Sequence, residues 1–260
     1  MKEARRIVVK LGTSTLTHPA GLLNIRRMGK LCEVLSDLKN AGHELIVVSS
    51  GAIAMGVGKL SLKARPTDIP SVQAVAAVGQ CELMYTYDKL FARHNHVVAQ
   101  ILLTGADLED SARLLNIHNT VERLLELGAL PIINENDTVA TDELGIGDND
   151  TLAATVAVNL KADLLILLSD IDGLYTKDPH EDPTAELIRD IHAMTSDIYA
   201  LAGGAGSHFG TGGMETKLHA AALCMAAGCD MVIANGKNPE ALYDIAEGRP
   251  VGSRFWGRKE

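Results

Sequence analysis

Residues 5–14 read RRIVVKLGTS, an apolar run of strand length that passes through a lysine into a glycine and two hydroxyl residues. Such a run indicates a buried strand, and the glycine indicates a turn after it. Lys10 stands where the strand ends. Because lysine is rarely fully buried without a partner, we expect Lys10 to project into a cleft at the sheet edge. Gly12 would let the backbone approach a ligand, with N–H groups suited to phosphate; an ordinary turn beside a solvent-reaching lysine is the alternative.

One pattern recurs along the chain: a short apolar run, then a turn, then a longer stretch of helical period. Strands are predicted over 5–11, 43–50, 97–103, 129–134, 164–170 and 231–235. Helices are predicted over 24–40, 111–127, 151–160 and 239–248. This alternation predicts an α/β fold, a doubly wound, mainly parallel open sheet with helices on both faces. No linker or internal repeat interrupts residues 1–260, so we expect a single domain with ligands at the carboxyl ends of its strands.

Composition argues against several classes of function. Aromatic residues make up 3% of the 260 residues and the net charge is −9, which disfavours binding to nucleic acid or to an anionic membrane. No apolar run reaches the roughly 18 residues of a membrane span, and the N-terminus lacks a signal peptide's apolar core, so we expect a cytoplasmic protein. The cysteines lack metal-ligand spacing and are expected to be buried apolar side chains: Cys32, Cys81, Cys224 and Cys229. No protein-bound metal is expected.

Two glycine-rich segments are candidate phosphate-binding loops. SSGAIAMGVG (49–58) follows a predicted strand but lacks the G-x-x-x-x-G-K-[ST] pattern, and a tight strand-to-helix turn is the simpler interpretation. GTGGMETK (210–217) places Gly212 and Gly213 before a helix whose first turn carries Glu215 and Lys217. N–H groups at a helix start, with a lysine one turn in, can bind nucleotide phosphates. A helix cap alone would need only Ser or Thr, so phosphate binding is favoured here.

The stretch NENDTVATDELGIGDND (134–150) contains six carboxylates and three asparagines without a lysine or arginine. It suits a ligand that carries an ammonium group, and a solvated loop is the alternative. Its end opens a helix, where capping explains one acid but not Asn149 and Asp150 as well. SDIDGLYTKDP (169–179) follows another predicted strand, where an aspartate could orient a ribose hydroxyl or an adenine amino group. A polar hairpin is the alternative for that segment.

Taken in order, seven segments resemble the amino acid kinase family, and most of all its branch that phosphorylates L-glutamate: VVKLGTS, VVSSGAIAMG, QAVAAVGQ, INENDTVAT, GDND, LLILLSDIDGLYTKDP and GTGGMETK. The resemblance covers essentially the whole chain. It implies transfer of a phosphoryl group from ATP to the side-chain carboxylate of L-glutamate, giving L-glutamyl 5-phosphate, the first step of proline synthesis. That carboxylate, with a pKa near ~4.3, needs no catalytic base. The transfer needs positioning and positive charge.

The resemblance also implies roles for individual residues. Lys10 and Lys217 would approach the γ-phosphoryl group from opposite sides, and Asp150 would hold both ammonium groups. The implied glutamate site comprises Ser50, Gly51, Asn134, Asp137 and Asn149. The implied ATP site comprises Lys10, Gly12, Ser169, Asp170, Thr211, Gly212, Gly213, Met214, Glu215, Thr216 and Lys217. Mg²⁺ would be held mainly by phosphate oxygens and water. The N-terminal part would bind mainly glutamate and the C-terminal part mainly ATP.

Some features depart from the family's pattern or go beyond the site. Gly145 stands where many members have a lysine, and the small PUA domain of many bacterial relatives is missing from this chain. Relatives assemble as dimers or tetramers, which implies a homo-oligomer. Feedback inhibition by proline, with 51–72 as the candidate loop, and delivery of the product to glutamyl phosphate reductase are further implications.

Two alternatives to this function stay open. The first is another small-acid kinase of the same fold, such as acetylglutamate kinase. Asp137 argues against it, since an acylated amine would leave that carboxylate unpaired in a closed site. The second is a catalytically silent amino-acid sensor, against which the retention of Lys10, Lys217 and Asp150 argues, because a sensor needs no transition-state charge.

Overall fold

The computed structural model describes residues 5–18, 22–139, 149–179, 181–201 and 213–258. Within these ranges the strands are β1 (Arg6–Leu11), β2 (Glu44–Val48), β3 (Val98–Leu103), β4 (Leu130–Glu135), β5 (Leu164–Ser169), β6 (Leu174–Tyr175), β7 (Leu187–Ile188), β8 (Asp190–Ile191), β9 (Asp230–Asn235) and β10 (Ser253–Phe255). The helices are α1 (Thr13–Leu16), α2 (Ile25–Asn40), α3 (Ala52–Lys59), α4 (Ile69–Ala92), α5 (Gly105–Glu109), α6 (Ser111–Glu126), α7 (Asn149–Asn159), α8 (Ser196–Ala200), α9 (Met214–Ala226) and α10 (Ala241–Ala246).

The main sheet has the strand order β3-β4-β2-β1-β5-β9-β10-β8. All pairs from β3 to β9 are parallel, β10 runs antiparallel to β9, and β6 and β7 form a separate antiparallel pair. The predicted doubly wound, mainly parallel sheet is therefore confirmed. All six predicted strands are present, each within one or two residues of its expected bounds.

Both faces of the sheet are covered, which explains the continuous apolar runs. In the central strand β1, Ile7 and Val9 point into one core, which includes Leu35 of α2 and Phe91 of α4. Val8 points into the other core, which includes small side chains of α7 and α9 such as Ala153 and Ala220. Each face of β1 is thus sealed by helices, and a polar side chain on this strand can reach solvent only at its end.

Two expectations about residues 51–92 were wrong. The segment 51–72 is not a loop, because α3 occupies 52–59 and α4 begins at Ile69, so that only 60–68 connect them. The start of α4 is fixed by Asp68, whose side chain accepts a hydrogen bond from the Ser71 N–H. Cys81 is exposed on the outer face of α4, whereas the other three cysteines are buried as expected. No helix of the described ranges has the length and apolarity needed to cross a membrane.

Helices α3 and α4 touch at their backbones. A Cβ atom added at Gly79 would lie 1.7 Å from the carbonyl oxygen of Ala52, and one added at Gly56 would lie 2.0 Å from that of Val75. No side chain fits at either place, so these glycines permit the close packing. The contact matters beyond stability because α3 begins directly after Ser50 and Gly51.

We expect Gly79→Ala to lower the free energy of unfolding by about 1–3 kcal/mol, since the added methyl group must push the two helices apart. The matched control is Gly29→Ala in α2, where an added Cβ atom would meet nothing within 4 Å. There the substitution should be neutral or stabilise by up to ~1 kcal/mol. Urea denaturation of the three proteins measures both effects. Equal stabilities for the two variants would contradict the helix contact.

Candidate functional site

Polar side chains meet at one edge of the sheet, where the parallel strands end. Lys10 lies near the end of β1, Asn134 near the end of β4, Ser169 at the end of β5 and Asn235 at the end of β9. Ser49 and Ser50 follow β2 directly. Since the carboxyl ends of parallel strands share one edge, residues far apart in the chain come together here, as the sequence predicted.

The centre of this edge is a buried carboxylate held between two lysines. The Asp150 side chain is completely inaccessible to solvent; its Oδ1 lies 2.5 Å from Lys10 Nζ and its Oδ2 lies 3.0 Å from Lys217 Nζ. The side chains of Lys10 and Lys217 are only 9% and 7% exposed. The three residues come from β1, from the first turn of α7 and from the first turns of α9. Two positive charges and one negative charge leave a local excess of one positive charge.

The ionisation of Asp150 follows from these contacts. Burial by itself would raise the pKa of Asp150, but the ammonium groups of Lys10 and Lys217 outweigh that effect and hold the pKa below its ordinary value. The carboxylate therefore stays charged. Its position in the first turn of α7 adds to this, because the N-terminal end of a helix favours negative charge.

Next to this cluster, the amide of Asn149 contacts two of the predicted residues, Ser50 and Asn134, and also Ser49. Its Nδ2 lies 2.6 Å from the carbonyl oxygen of Ser49, 2.8 Å from Ser50 Oγ and 3.1 Å from Asn134 Oδ1. Asn149 precedes Asp150 in the chain, so one helical turn supplies a residue to the amide cluster and one to the lysine cluster. Gly51 begins α3 with φ +90°, a left-handed conformation that favours glycine.

Asp137 lies just beyond the end of β4 and is partly buried. Burial raises the pKa of Asp137, and the positive charge of Arg65 acts in the opposite direction. A partly desolvated carboxylate of this kind gains from a positively charged ligand, which would restore the solvation that it has lost.

On the other side of the lysine cluster, the loop after β5 carries Ser169 and Asp170. Ser169 Oγ donates a hydrogen bond to Asp170 Oδ1 at 3.1 Å. The Asn235 amide donates to Asp172 Oδ1 at 2.7 Å and approaches the carbonyl oxygen of Asp170 at 3.4 Å. Asn235 was not predicted as a site residue, although the rule that found Asn134, a polar residue at a strand end, applies equally to it.

The glycine segments that precede α1 and α9 face the same region. Gly12 begins α1, and its N–H donates to the carbonyl oxygen of Leu168 at 3.3 Å. Gly213 immediately precedes α9, and an added Cβ atom there would meet no atom of the described residues within 4 Å. Met214, Glu215 and Thr216 form the first turn of α9. Of the predicted residues, Thr211, Gly212 and Gly145 lie outside the described residues.

Two polar residues behind the amide cluster, Gln80 and Tyr87, were not predicted from the sequence. Gln80 Oε1 accepts from Asn134 Nδ2 at 2.8 Å, and the Tyr87 hydroxyl lies 2.8 Å from Ser49 Oγ. Gln80 belongs to the quoted segment QAVAAVGQ, but nothing in that pattern says which way its amide faces. Among the described residues, no three or more His, Cys, Asp and Glu side chains are grouped so that they could hold a metal ion.

Comparisons with known proteins identify the family of the chain. The model of the amino acid kinase family matches residues 5–235. A glutamate 5-kinase of Listeria welshimeri is 53% identical over 264 residues, covering 100% of this chain and 96% of the relative, and one of Clostridium perfringens is 50% identical, covering 100% and 98%. Among solved structures, carbamate kinase from Giardia lamblia bound to AMP-PNP has a TM-score of 0.68 at 17% identity, covering 99% of this chain and 100% of the other. Isopentenyl phosphate kinase from T. acidophilum has a TM-score of 0.64 at 19% identity, covering 96% and 99%. At these identities the two structures establish the fold.

We expect Asp150→Asn to lower the free energy of unfolding by about 3–5 kcal/mol at neutral pH, because two ammonium groups would stay buried without their counter-charge. The matched control is Asp182→Asn, which removes an exposed carboxylate 2.8 Å from Lys177 Nζ. Exposed pairs contribute little, so this variant should unfold almost as the wild-type protein does. Urea denaturation of all three proteins provides the measurement.

The difference in the free energy of unfolding between the wild-type protein and Asp150→Asn should also depend on pH. The pKa of Asp150 is lower in the folded protein than in the unfolded chain, where it is about 3.9. Its contribution is therefore complete above the unfolded pKa and is lost as the pH falls through the folded pKa. The stability difference between the wild-type protein and Asp150→Asn should be constant above about pH 5 and shrink below about pH 4. A difference that stays constant down to pH 3 would contradict the assigned ionisation.

Proposed function

The chain belongs to the amino acid kinase family, and we propose that it acts as a glutamate 5-kinase. It transfers the γ-phosphoryl group of ATP to the side-chain carboxylate of L-glutamate and forms L-glutamyl 5-phosphate, the first step of proline biosynthesis. The observation that carries the proposal is the buried Lys10–Asp150–Lys217 cluster directly beside the Asn134–Asn149 amide cluster. Full-length relatives of that name at about half identity support the choice of substrate.

The chemistry requires no base. The side-chain carboxylate of glutamate has a pKa near ~4.3, so it is ionised at pH 7 and attacks as it stands. One of its oxygens forms the new bond to the γ-phosphorus while the bond from that phosphorus to the β–γ bridging oxygen breaks. The electron pair stays on the β-phosphate and ADP leaves. What the protein must supply is alignment of the two anions and positive charge where negative charge develops.

Lys10 and Lys217 provide that charge in the proposal. They contact opposite oxygens of Asp150, so the carboxylate keeps two like-charged ammonium groups close together without neutralising both. Because the cluster is buried, its electrostatic effect on a phosphoryl group is less screened than it would be in water. The group that transfers would lie between the two lysines and gain stabilisation as its charge shifts.

Glutamate lies on the amide side of the cluster in the proposal. Asp137 receives the α-ammonium group, which offsets the burial that raises the pKa of this carboxyl. The α-carboxylate meets amide and hydroxyl donors instead of a full positive charge. The Ser50 hydroxyl and the second N–H of the Asn134 amide are such donors, and Asn149, whose own N–H groups contact Ser49, Ser50 and Asn134, lines the same side with the backbone of Gly51.

ATP lies on the opposite side, along the ends of β5 and β9. Ser169 and Asp170 face its nucleoside part, and the backbone near Gly12 and the start of α9 face its phosphates, because free N–H groups at a helix start bind anions. The described part of the segment proposed to face the phosphates comprises Gly213, Met214, Glu215, Thr216 and Lys217; Thr211 and Gly212, which precede it in the chain, lie outside the described residues. Mg²⁺ neutralises phosphate charge when bound. Both Asp150 oxygens are engaged by lysines, which fits an ion held mainly by phosphates and water.

The remaining expectations belong to the same proposal. They are one amino acid kinase domain over 1–260, a homodimer or homotetramer, a cytoplasmic location, inhibition by proline and delivery of the labile acyl phosphate to glutamyl phosphate reductase. The connection 60–68 between α3 and α4 replaces the longer loop as the candidate proline-responsive segment. Gly145, which lies outside the described residues, carries no positive charge where many family members have a lysine.

A second candidate function, a kinase for an N-acylated or shorter acid, is separated from the first by product trapping. We expect ATP- and Mg²⁺-dependent hydroxamate formation in the presence of hydroxylamine with L-glutamate, and only background with N-acetylglutamate or L-aspartate. A signal with N-acetylglutamate instead would overturn the substrate. No signal with any acid, despite measurable ATP binding, would favour an amino-acid sensor.

The two clusters should respond differently to substitution. Lys10→Ala should lower kcat by about 100-fold or more with little change in the KM for glutamate, because it removes charge that acts on the transition state. Asp137→Ala should raise the KM for glutamate by roughly 10- to 100-fold, because it removes the partner of the ammonium group. Initial-rate kinetics at saturating ATP measure both constants.

The matched control for Lys10→Ala is Lys89→Ala, which removes an exposed lysine from the outer face of α4 near the Tyr85 ring. It should leave both constants unchanged. If Lys10→Ala and Asp137→Ala lowered kcat alone and to the same extent, the separate roles of the two clusters would be wrong.

A further inference from the structure

Two buried polar side chains on α4 have no part in the chemistry proposed above. Gln80 is 8% exposed and Tyr87 is completely buried. They lie seven residues apart, which is close to two helical turns, so they share one face of α4. That face is turned toward the strand ends that carry the amide cluster. Buried polar groups are costly unless they are hydrogen-bonded, so the partners of these two side chains indicate what they do.

Gln80 acts on Asn134, and the direction of each hydrogen bond can be worked out. The backbone N–H of Glu135 donates to Asn134 Oδ1 at 2.9 Å, which fixes that atom as the oxygen. Asn134 Nδ2 therefore faces Gln80 and donates to its Oε1 at 2.8 Å. Gln80 Nε2 in turn donates to Gln100 Oε1 at 3.1 Å. Starting from one backbone N–H, three side-chain amides have defined orientations.

Tyr87 acts on the neighbouring strand end. Its hydroxyl lies 2.8 Å from Ser49 Oγ, and its ring stacks on Phe91 with centroids 6.1 Å apart. Burial raises the pKa of Tyr87, so the hydroxyl keeps its proton and can donate it in a hydrogen bond. Ser49 is itself fully buried, and its carbonyl oxygen accepts from Asn149 Nδ2 at 2.6 Å. The hydrogen bond between Tyr87 and Ser49 thus connects α4 to the turn after β2.

Both paths lead to the same amide. Asn149 Nδ2 contacts Asn134 Oδ1, which Gln80 orients, and the carbonyl oxygen of Ser49, which Tyr87 supports. We propose that this face of α4 sets the geometry of the glutamate-binding side chains, with Gln80 and Tyr87 as positioning residues that do not contact the substrate. The inference rests on the proposed function and deepens it. Its physical basis is preorganisation: side chains already fixed by hydrogen bonds lose less freedom when a ligand binds.

The test compares steady-state constants of Gln80→Met and Tyr87→Phe with those of the wild-type protein. Gln80→Met keeps a side chain of similar length but leaves Asn134 Nδ2 without its acceptor, and Tyr87→Phe removes only the hydroxyl. Each should raise the KM for glutamate by about five- to tenfold, the effect of losing one hydrogen bond in a closed site. The KM for ATP should change by less than about twofold, since the hydrogen bonds of Gln80 and Tyr87 run to Ser49, Gln100 and Asn134 and not to the described residues of the proposed ATP side.

A double-substitution cycle separates positioning from direct contact. If Gln80 acts through Asn134, the double variant Gln80→Met with Asn134→Ala should have the same KM for glutamate as Asn134→Ala alone. The matched control is Thr86→Val, at the position next to Tyr87. The Thr86 hydroxyl donates a hydrogen bond to the Glu82 carbonyl oxygen within α4, and not to the amide cluster, so the substitution removes a hydrogen bond of α4 alone. Its KM values should equal those of the wild-type protein.

Each outcome has one interpretation. Wild-type activity with glutamate and unchanged KM values in both variants would overturn the positioning roles alone, as would full additivity in the cycle. An equal rise in the KM for ATP would show general destabilisation instead of positioning. A wild-type protein without activity on glutamate would overturn the proposed function, and this inference with it. If Gln80→Met does not fold, Tyr87→Phe decides, because it removes a single oxygen atom.

Discussion

The structure depends most on a carboxylate that is closed off from water between two lysines. A fully buried Asp150 requires nearby positive charge, and two buried ammonium groups require a negative charge between them, so none of the three residues is tolerable without the others. Their contact forces β1 and the first turns of α7 and α9 to meet at one point. The excess positive charge is local, which explains how a chain with a net charge of −9 can offer a site to phosphate.

The two halves of the site are joined by adjacent residues. Asn149 turns to the strand ends of β2 and β4, and Asp150 turns to the lysines. Since both residues belong to the first turn of α7, the distance between the proposed glutamate side and the proposed phosphoryl side is set by one rigid element. A transfer between two anions depends on such spacing, because misalignment of the reacting atoms by about 1 Å can lower a rate by two orders of magnitude.

Helix α4 adds a second layer behind these residues. Its contact with α3 is close enough to need glycine at Gly56 and Gly79, and its polar face reaches Asn134 and Ser49. The packing of α4 against α3 and the hydrogen bond from Tyr87 to Ser49 therefore act on the same turn after β2, since α3 begins directly after Ser50 and Gly51. A displacement of α4 would be felt at both strand ends together, because packed helices move as units and do not deform continuously.

The sequence by itself determined the sheet and which polar residues stand at its carboxyl edge as site candidates. Strands buried on both faces must be apolar along their whole length, so β1 and β5 are visible as runs, and polar residues such as Lys10, Asn134 and Ser169 then stand out at their ends. Helices α3 and α4 were missed in part because alanine and glycine at their contact weaken the apolar period. The resemblance implied that Asp150 holds Lys10, 140 residues away, and the structure shows that contact, whereas only the tertiary structure decided that Gln80 faces Asn134. Hydrogen bonds and ion pairs act over about 3 Å, and sequence spacing does not report which residues the topology brings that close.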